Sequence, residues 1–269
     1  MVFVLALGAV IAATPPEGWR QVSEPSQALL DCANHSQHEW WVSVHEGKVR
    51  IEPNDLSRRS DKRQLPFKLP PKIFPMGGWS HSLAVKDGFF LGSNGGEWGG
   101  ALFWFSADGK KHRQLAKENV RGLVASGPDE VLSLHGLNHL GSRRGSVRWF
   151  KQGTDGQWAL SEEQSLDAGP YSFNATGEGV YVVTATSLTK IGPGRQVKIL
   201  EPLPTWMLYP NSIVEDAGGA LWIGMRHFVL RLVPGGEKRT REWFVPSKCL
   251  QSPQVGSDCV CQEEGRTPK

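Results

Sequence analysis

The sequence predicts an all-β protein, a β-propeller of about five four-stranded blades. Three observations predict it. Gly supplies 31 of 269 residues and Trp outnumbers Tyr 11 to 3, which suits short strands and tight turns better than helices. Apolar residues alternate or run in short blocks, and Gly, Asp and Pro clusters break them before a 3.6-residue period can build up. A hairpin pattern returns roughly every 40 to 50 residues, which is the period of a propeller blade. A β-sandwich shares the short strands but not this longer period.

In chain order, residues 40–44 and 48–51 form a divergent first blade, with 28–32 as its opening strand and 64–69 as its last. A sixth blade arises if residues 19–30 pair with the final one. Four clearer hairpins follow: 82–91 (SLAVKDGFFL), 123–134 (LVASGPDEVLSL), 172–183 (SFNATGEGVYVV) and 212–223 (SIVEDAGGALWI). Each joins two apolar strands through a Gly or Asp turn. Third strands are predicted at 101–105, 146–150, 188–191 and 228–233, and fourth strands at 112–115, 158–166, 196–200 and 241–245. The proline-rich stretches 65–71 and 201–204 fall between blades, where the chain leaves one sheet for the next.

Residues 2–13 (VFVLALGAVIAA) are an uncharged apolar run ending in small residues, without a basic stretch before it. The run reads as a secretory signal cut after Ala12 or Ala13, and it is shorter than the roughly 20 residues a membrane span needs. The expected organisation is therefore a signal at 1–13, a propeller at 14–246 and a Cys-containing tail at 247–269, exported to the periplasm or the extracellular space. Cys32, Cys249, Cys259 and Cys261 are even in number, so disulfides are expected. Spacing does not choose among the pairings, and without a CxxC it does not suggest zinc. Lys and Arg total 30 against 27 Asp and Glu, a net charge of +3 with the signs interspersed, which argues against nonspecific nucleic-acid binding.

Residues 211–224 (NSIVEDAGGALWIG) resemble the two-component regulator propeller repeat, in which an ED pair, a glycine turn and LWIG recur. Streptogramin lyase and gluconolactonase-like propellers use looser relatives of the motif. In physical terms it is a hairpin. Glu215 and Asp216 end one strand, Gly218 and Gly219 are expected to supply positive φ, and Leu221 and Ile223 alternate with Trp222. The resemblance implies a fold and leaves function open, because propellers host lyases, hydrolases, sensors and scaffolds.

Aligning the hairpins puts His81, Arg121, Tyr171 and Asn211 near the starts of the first strands, converging on one mouth of the channel. Loops joining second and third strands add His45, Glu97, Trp98, Asn138, His139, Arg143, Arg144, Arg226 and His227. This set, rich in His, Arg and Trp, points to an anionic or sugar-like ligand. The glycine-rich run 92–100 reads as a flexible loop presenting Glu97 and Trp98, and of the paired Trp40 and Trp41 one is expected to pack between blades. His135 and His139, four apart on strand and loop with no following carboxylate, do not read as metal ligands, and no cofactor motif occurs. The expected function is noncatalytic binding of a small molecule, glycan or protein partner by a monomer with no membrane span. The alternative is a lyase or hydrolase that uses His81, His139 or His227 as base with a divalent ion.

Overall fold

The computed structural model describes residues 15–55, 65–74, 78–139, 141–235 and 238–248, with short strand segments at 251–252 and 256–257. The chain opens with β1 (Trp19–Val22), helix α1 (Gln27–Ala33) and a hairpin of β2 (Trp40–His45) and β3 (Lys48–Pro53). Three antiparallel sheets follow, each laid down in strand order. They are β4 (His81–Val85), β5 (Gly88–Gly92), β6 (Leu102–Ser106) and β7 (His112–Ala116); β8 (Val120–Gly127), β9 (Glu130–His139), β10 (Ser142–Gln152) and β11 (Trp158–Leu166); and β12 (Pro170–Thr176), β13 (Gly179–Thr184), β14 (Ser187–Ile191) and β15 (Val197–Pro202). The last sheet contains β16 (Ser212–Glu215), β17 (Leu221–Gly224), β18 (Val229–Val233) and β19 (Thr240–Pro246). The short pair β20 (Gln251–Ser252) and β21 (Gly256–Ser257) comes after it.

The first strands of the sheets stand side by side: β4 against β8, β8 against β12, β12 against β16, and β16 against β2. This gives a propeller-like arrangement in which each of the four larger sheets buries both faces. The last hairpin shows how the two-residue period of a strand achieves this. Leu221 and Ile223 point into a core shared with Tyr181, Val183 and Leu188 of the preceding sheet. Trp222, one residue out of phase, packs with Trp40 and Val42 of the β2–β3 hairpin. Trp149, Leu132 and Leu134 likewise meet Val180 and Val182 between the third and fourth sheets.

The second strand opens on glycine in two sheets, and the backbone requires it there. Gly88 and Gly179 have φ values of 157° and 126°, and a Cβ on either would run into the carbonyl oxygen of Phe105 or Ile191 on the adjacent third strand. In the last hairpin Gly219 alone, at φ 77°, supplies the positive φ expected of both Gly218 and Gly219.

Two expectations for the first blade are corrected. Residues 28–32 are helical: Ser26 caps α1 by accepting from the Leu29 backbone N–H at 3.3 Å, and Leu29, Leu30 and Ala33 share one buried face. The described part of 64–69 is not a strand. Pro66, Pro70 and Pro71 deny it ladder donors, and it packs as irregular chain on the second sheet, where Phe67 stacks on Phe105 at 5.6 Å. β1 does pair with β19, as the fifth strand of the last sheet.

The predicted signal at 1–13, the cysteines at 249, 259 and 261 and most of the predicted tail lie outside the described residues. Among the described residues no helix is long and apolar enough to cross a membrane.

Candidate functional site

Because β4, β8, β12 and β16 run side by side, residues at their starts gather at one end of the molecule, here called the mouth. Arg121 is the second residue of β8, and its Nε donates to the Gly136 carbonyl oxygen at 3.3 Å. Among the described residues no carboxylate pairs with it. Burial pushes its pKa down, opposed by Tyr171. His81 opens β4, where burial first and the Arg121 charge second push its imidazole down to about 4. It is therefore neutral at neutral pH.

Tyr171, second in β12, donates its hydroxyl to the Trp206 carbonyl oxygen at 3.1 Å. Burial and then Tyr209 raise its pKa, against the charges of Arg121, Arg143 and Arg226. Tyr209 meets Tyr171 edge-on at 6.0 Å and carries Arg226 over its ring at 4.4 Å. Arg226 is itself held by Glu39 at 3.0 Å and by the Asn34 carbonyl oxygen. Arg143 lies over Trp206 at 4.9 Å. Asn211 sits just before β16, and its Oδ1 accepts from the Ser212 hydroxyl at 3.0 Å. His81, Arg121 and Tyr171 thus interact as one group, with Arg143 and Arg226 at its edge. Trp206 and Tyr209 escaped the sequence reading, although the rule that found Asn211 also covers the loop before β16.

Beside the mouth, between the second and third sheets, lies a cleft of about 560 Å³. Its lining includes His135, Arg148, Lys117, Arg143 and Arg144 together with Glu97, Glu118 and Glu163, and the Gly96–Trp98 turn borders it. The glycine-rich run is not the loose loop expected of it. Asn119 accepts from Gly95 N–H at 3.1 Å and donates to the Gly96 carbonyl oxygen at 2.7 Å, pinning the turn to the chain leading into β8. Arg148 bridges Glu118 at 3.0 Å and Glu163 at 2.9 Å. It lies mid-strand in β10, outside the loops that the hairpin pattern singles out.

The other predicted site residues scatter. Trp98 is 66% exposed on the pinned turn. His139 ends β9 and its Nε2 lies 2.9 Å from Glu97 Oε2, so the carboxylate absent from the following sequence comes from the neighbouring sheet. His135, on the same strand, instead contacts the Ser133 hydroxyl through Nε2 at 2.8 Å. Arg144 is exposed beside the cleft. Asn138 is engaged in clamping Gly169 by two hydrogen bonds, at 2.8 and 3.0 Å. His227 is buried at a φ of 69° with its ring 4.7 Å from that of Phe228, so it does not project into solvent. His45 ends β2, at the opposite end of that strand from Glu39 and Arg226, because β2 and not 28–32 is the inner strand of its sheet. Trp40 is buried with Nε1 donating to the His227 carbonyl oxygen at 3.1 Å, while Trp41 is half-buried. Cys32 packs partly buried against the α1 core. Among the described residues no three of His, Cys, Asp and Glu gather as a metal site would need.

No family model matches the chain. No curated protein matches it either. Among solved structures, the chain is similar to the computationally designed Ika4 protein, with a TM-score of 0.39, 12% identity, and 66% of this chain and 96% of that one covered. It is also similar to a gluconolactonase from Xanthomonas campestris, with a TM-score of 0.31, 13% identity, and 61% of this chain but only 55% of that one covered. The propeller-like character of the chain therefore stands on its own sheet order.

Proposed function

We propose that the protein is an exported, monomeric, five-bladed β-propeller that binds a small carboxylate at the mouth, through Arg121 flanked by His81 and Tyr171. The observation that supports this most is Arg121. A half-buried guanidinium without a counter-charge is a net cost to the fold, and an anionic ligand supplies the missing charge in the bidentate geometry guanidinium prefers. The neutral His81 imidazole adds a hydrogen-bonding group without a second buried charge. Asn211, with a buried side-chain N–H lacking a partner among the described residues, supplies a further donor at the same end. Counting the β2–β3 hairpin as a blade, with the irregular 65–74 segment beside it, makes five. The apolar run at 2–13 and the even number of cysteines support export and disulfides joining Cys32 to the tail.

Thermal denaturation tests the binding reading. Succinate should raise the unfolding temperature in a concentration-dependent way, and its neutral diamide at equal ionic strength should not. Equal shifts for the two would refute the reading.

One observation favours the alternative of a propeller lyase or hydrolase: the exposed Glu97–His139 pair, in which a carboxylate orients an imidazole. That reading requires turnover that His139→Gln abolishes.

A further inference from the structure

We propose, building on the carboxylate reading of the mouth, that the ligand is an aromatic carboxylate, with its ring on Trp206 and Tyr209 and its carboxylate on Arg121.

Both rings belong to the segment that joins β15 to β16, and that segment is firmly anchored. Leu203, Thr205 and Leu208 are buried. The Leu203 N–H donates to the Thr186 carbonyl oxygen at 2.8 Å, the Leu208 N–H to the Thr205 carbonyl oxygen at 2.9 Å, and the Arg226 N–H to the Leu208 carbonyl oxygen at 2.7 Å. Between these anchors Trp206 and Tyr209 stay in solvent, each 44% exposed. Tyr209 does so at a φ of 48°, in the left-handed region that strains any residue with a Cβ. A bonded turn that keeps two large rings in water, one of them on strained backbone, is built to present them.

Tyr171 joins these rings to Arg121. Its hydroxyl donates to the Trp206 carbonyl oxygen at 3.1 Å, its ring meets Tyr209 edge-on at 6.0 Å, and it feels the Arg121 charge. Arg143 over Trp206 at 4.9 Å and Arg226 over Tyr209 at 4.4 Å each steady a ring. The exposure of both rings is what remains with these arginines in place, so each keeps surface for a further partner. A short aliphatic acid meets only the Arg121 half of this arrangement. A ligand ring adds offset or edge-on stacking beyond the area it buries.

Calorimetric titration of 3-phenylpropionate, 3-cyclohexylpropionate and succinate into the unmodified protein, Arg121→Gln, Trp206→Ala and Tyr209→Asn tests this. Both aromatic positions are exposed, and asparagine tolerates the left-handed φ of residue 209. The unmodified protein should bind 3-phenylpropionate about fivefold more tightly than its cyclohexyl analogue, the worth of a stacked ring pair. Trp206→Ala and Tyr209→Asn should each weaken 3-phenylpropionate about fivefold and leave succinate unchanged, whereas Arg121→Gln should weaken both acids at least about tenfold. Absence of 3-phenylpropionate binding, equal binding of the cyclohexyl analogue, or binding that both aromatic substitutions leave unchanged would overturn the proposal. Succinate binding that depends on Arg121 would in those cases leave the mouth reading standing. Binding of both acids that Arg121→Gln leaves unchanged would refute the mouth reading and this proposal with it.

Discussion

Arg121 donates through Nε to the Gly136 carbonyl oxygen at 3.3 Å, and this hydrogen bond carries a cation with no carboxylate beside it among the described residues. A carbonyl oxygen orients a guanidinium but does not neutralise it, so in the ligand-free protein the charge is a net cost. Arg121→Gln should therefore leave the ligand-free protein as stable as before, or up to about 1 kcal/mol more stable, by denaturant unfolding. A loss of more than about 2 kcal/mol would show that Arg121 is structural.

His81, half-buried, and His135, fully buried, set a pH dependence. Burial and a neighbouring arginine place His81 at about 4 and His135 at about 3, below the ordinary value near 6.5. Between those values the unfolded chain binds protons that the folded chain refuses, so stability is full above pH 6.5 and falls as the pH drops toward 4. Nitrogen-detected NMR of the imidazoles should find both neutral at pH 5.5. A charged His81 at that pH would contradict its burial beside Arg121.

Asp216 organises the last hairpin. Its carboxylate accepts from the Gly218 and Ala220 backbone N–H groups at 2.9 Å each and from Trp222 Nε1 at 2.8 Å. Burial acts to raise its pKa, but these hydrogen bonds and Arg231 prevail and lower it. Asp216→Ala should cost about 2 kcal/mol at pH 7. A carboxyl with a depressed pKa stabilises the fold above its unfolded value near 3.9 and loses that contribution as the pH falls through the folded one. The gap between wild type and variant should accordingly narrow below about pH 4, which urea unfolding across pH can measure.

Asp87 ties two sheets together at the other end of the molecule. It accepts from Trp158 Nε1 at 3.1 Å and from Gln152 Nε2 at 2.7 Å on the third sheet, and from Trp104 Nε1 at 3.4 Å on its own. Asp87→Ala should destabilise the protein by about 1 to 3 kcal/mol, because it leaves the buried indole of Trp158 without an acceptor. An unchanged denaturant midpoint would show that water replaces the carboxylate.

The hairpins were legible because their apolar residues alternate around a Gly or Asp turn, so SLAVKDGFFL and SIVEDAGGALWI could each be placed almost to the residue. Helix α1 was not, because two turns are too short to display a 3.6-residue period, although Ser26 with Leu29, Leu30 and Ala33 carries a cap and a face. The pairing of β1 with β19 joins residues more than two hundred positions apart, and only tertiary packing determines whether it extends a sheet or starts one. At the site, strand starts could be named because inner strands begin at a common end. Partners supplied by other segments, such as Glu97 for His139 and Trp206 for Tyr171, follow from three-dimensional neighbours and leave no local signature.

Calorimetric titration of succinate into wild type, Arg121→Lys and Arg121→Gln tests most directly that Arg121 holds an anion at the mouth. Binding to wild type should be saturable, binding to the lysine variant, which keeps the charge but loses the bidentate fork, should be weaker, and binding to the glutamine variant should be at least about tenfold weaker. Equal affinity across all three proteins would contradict it.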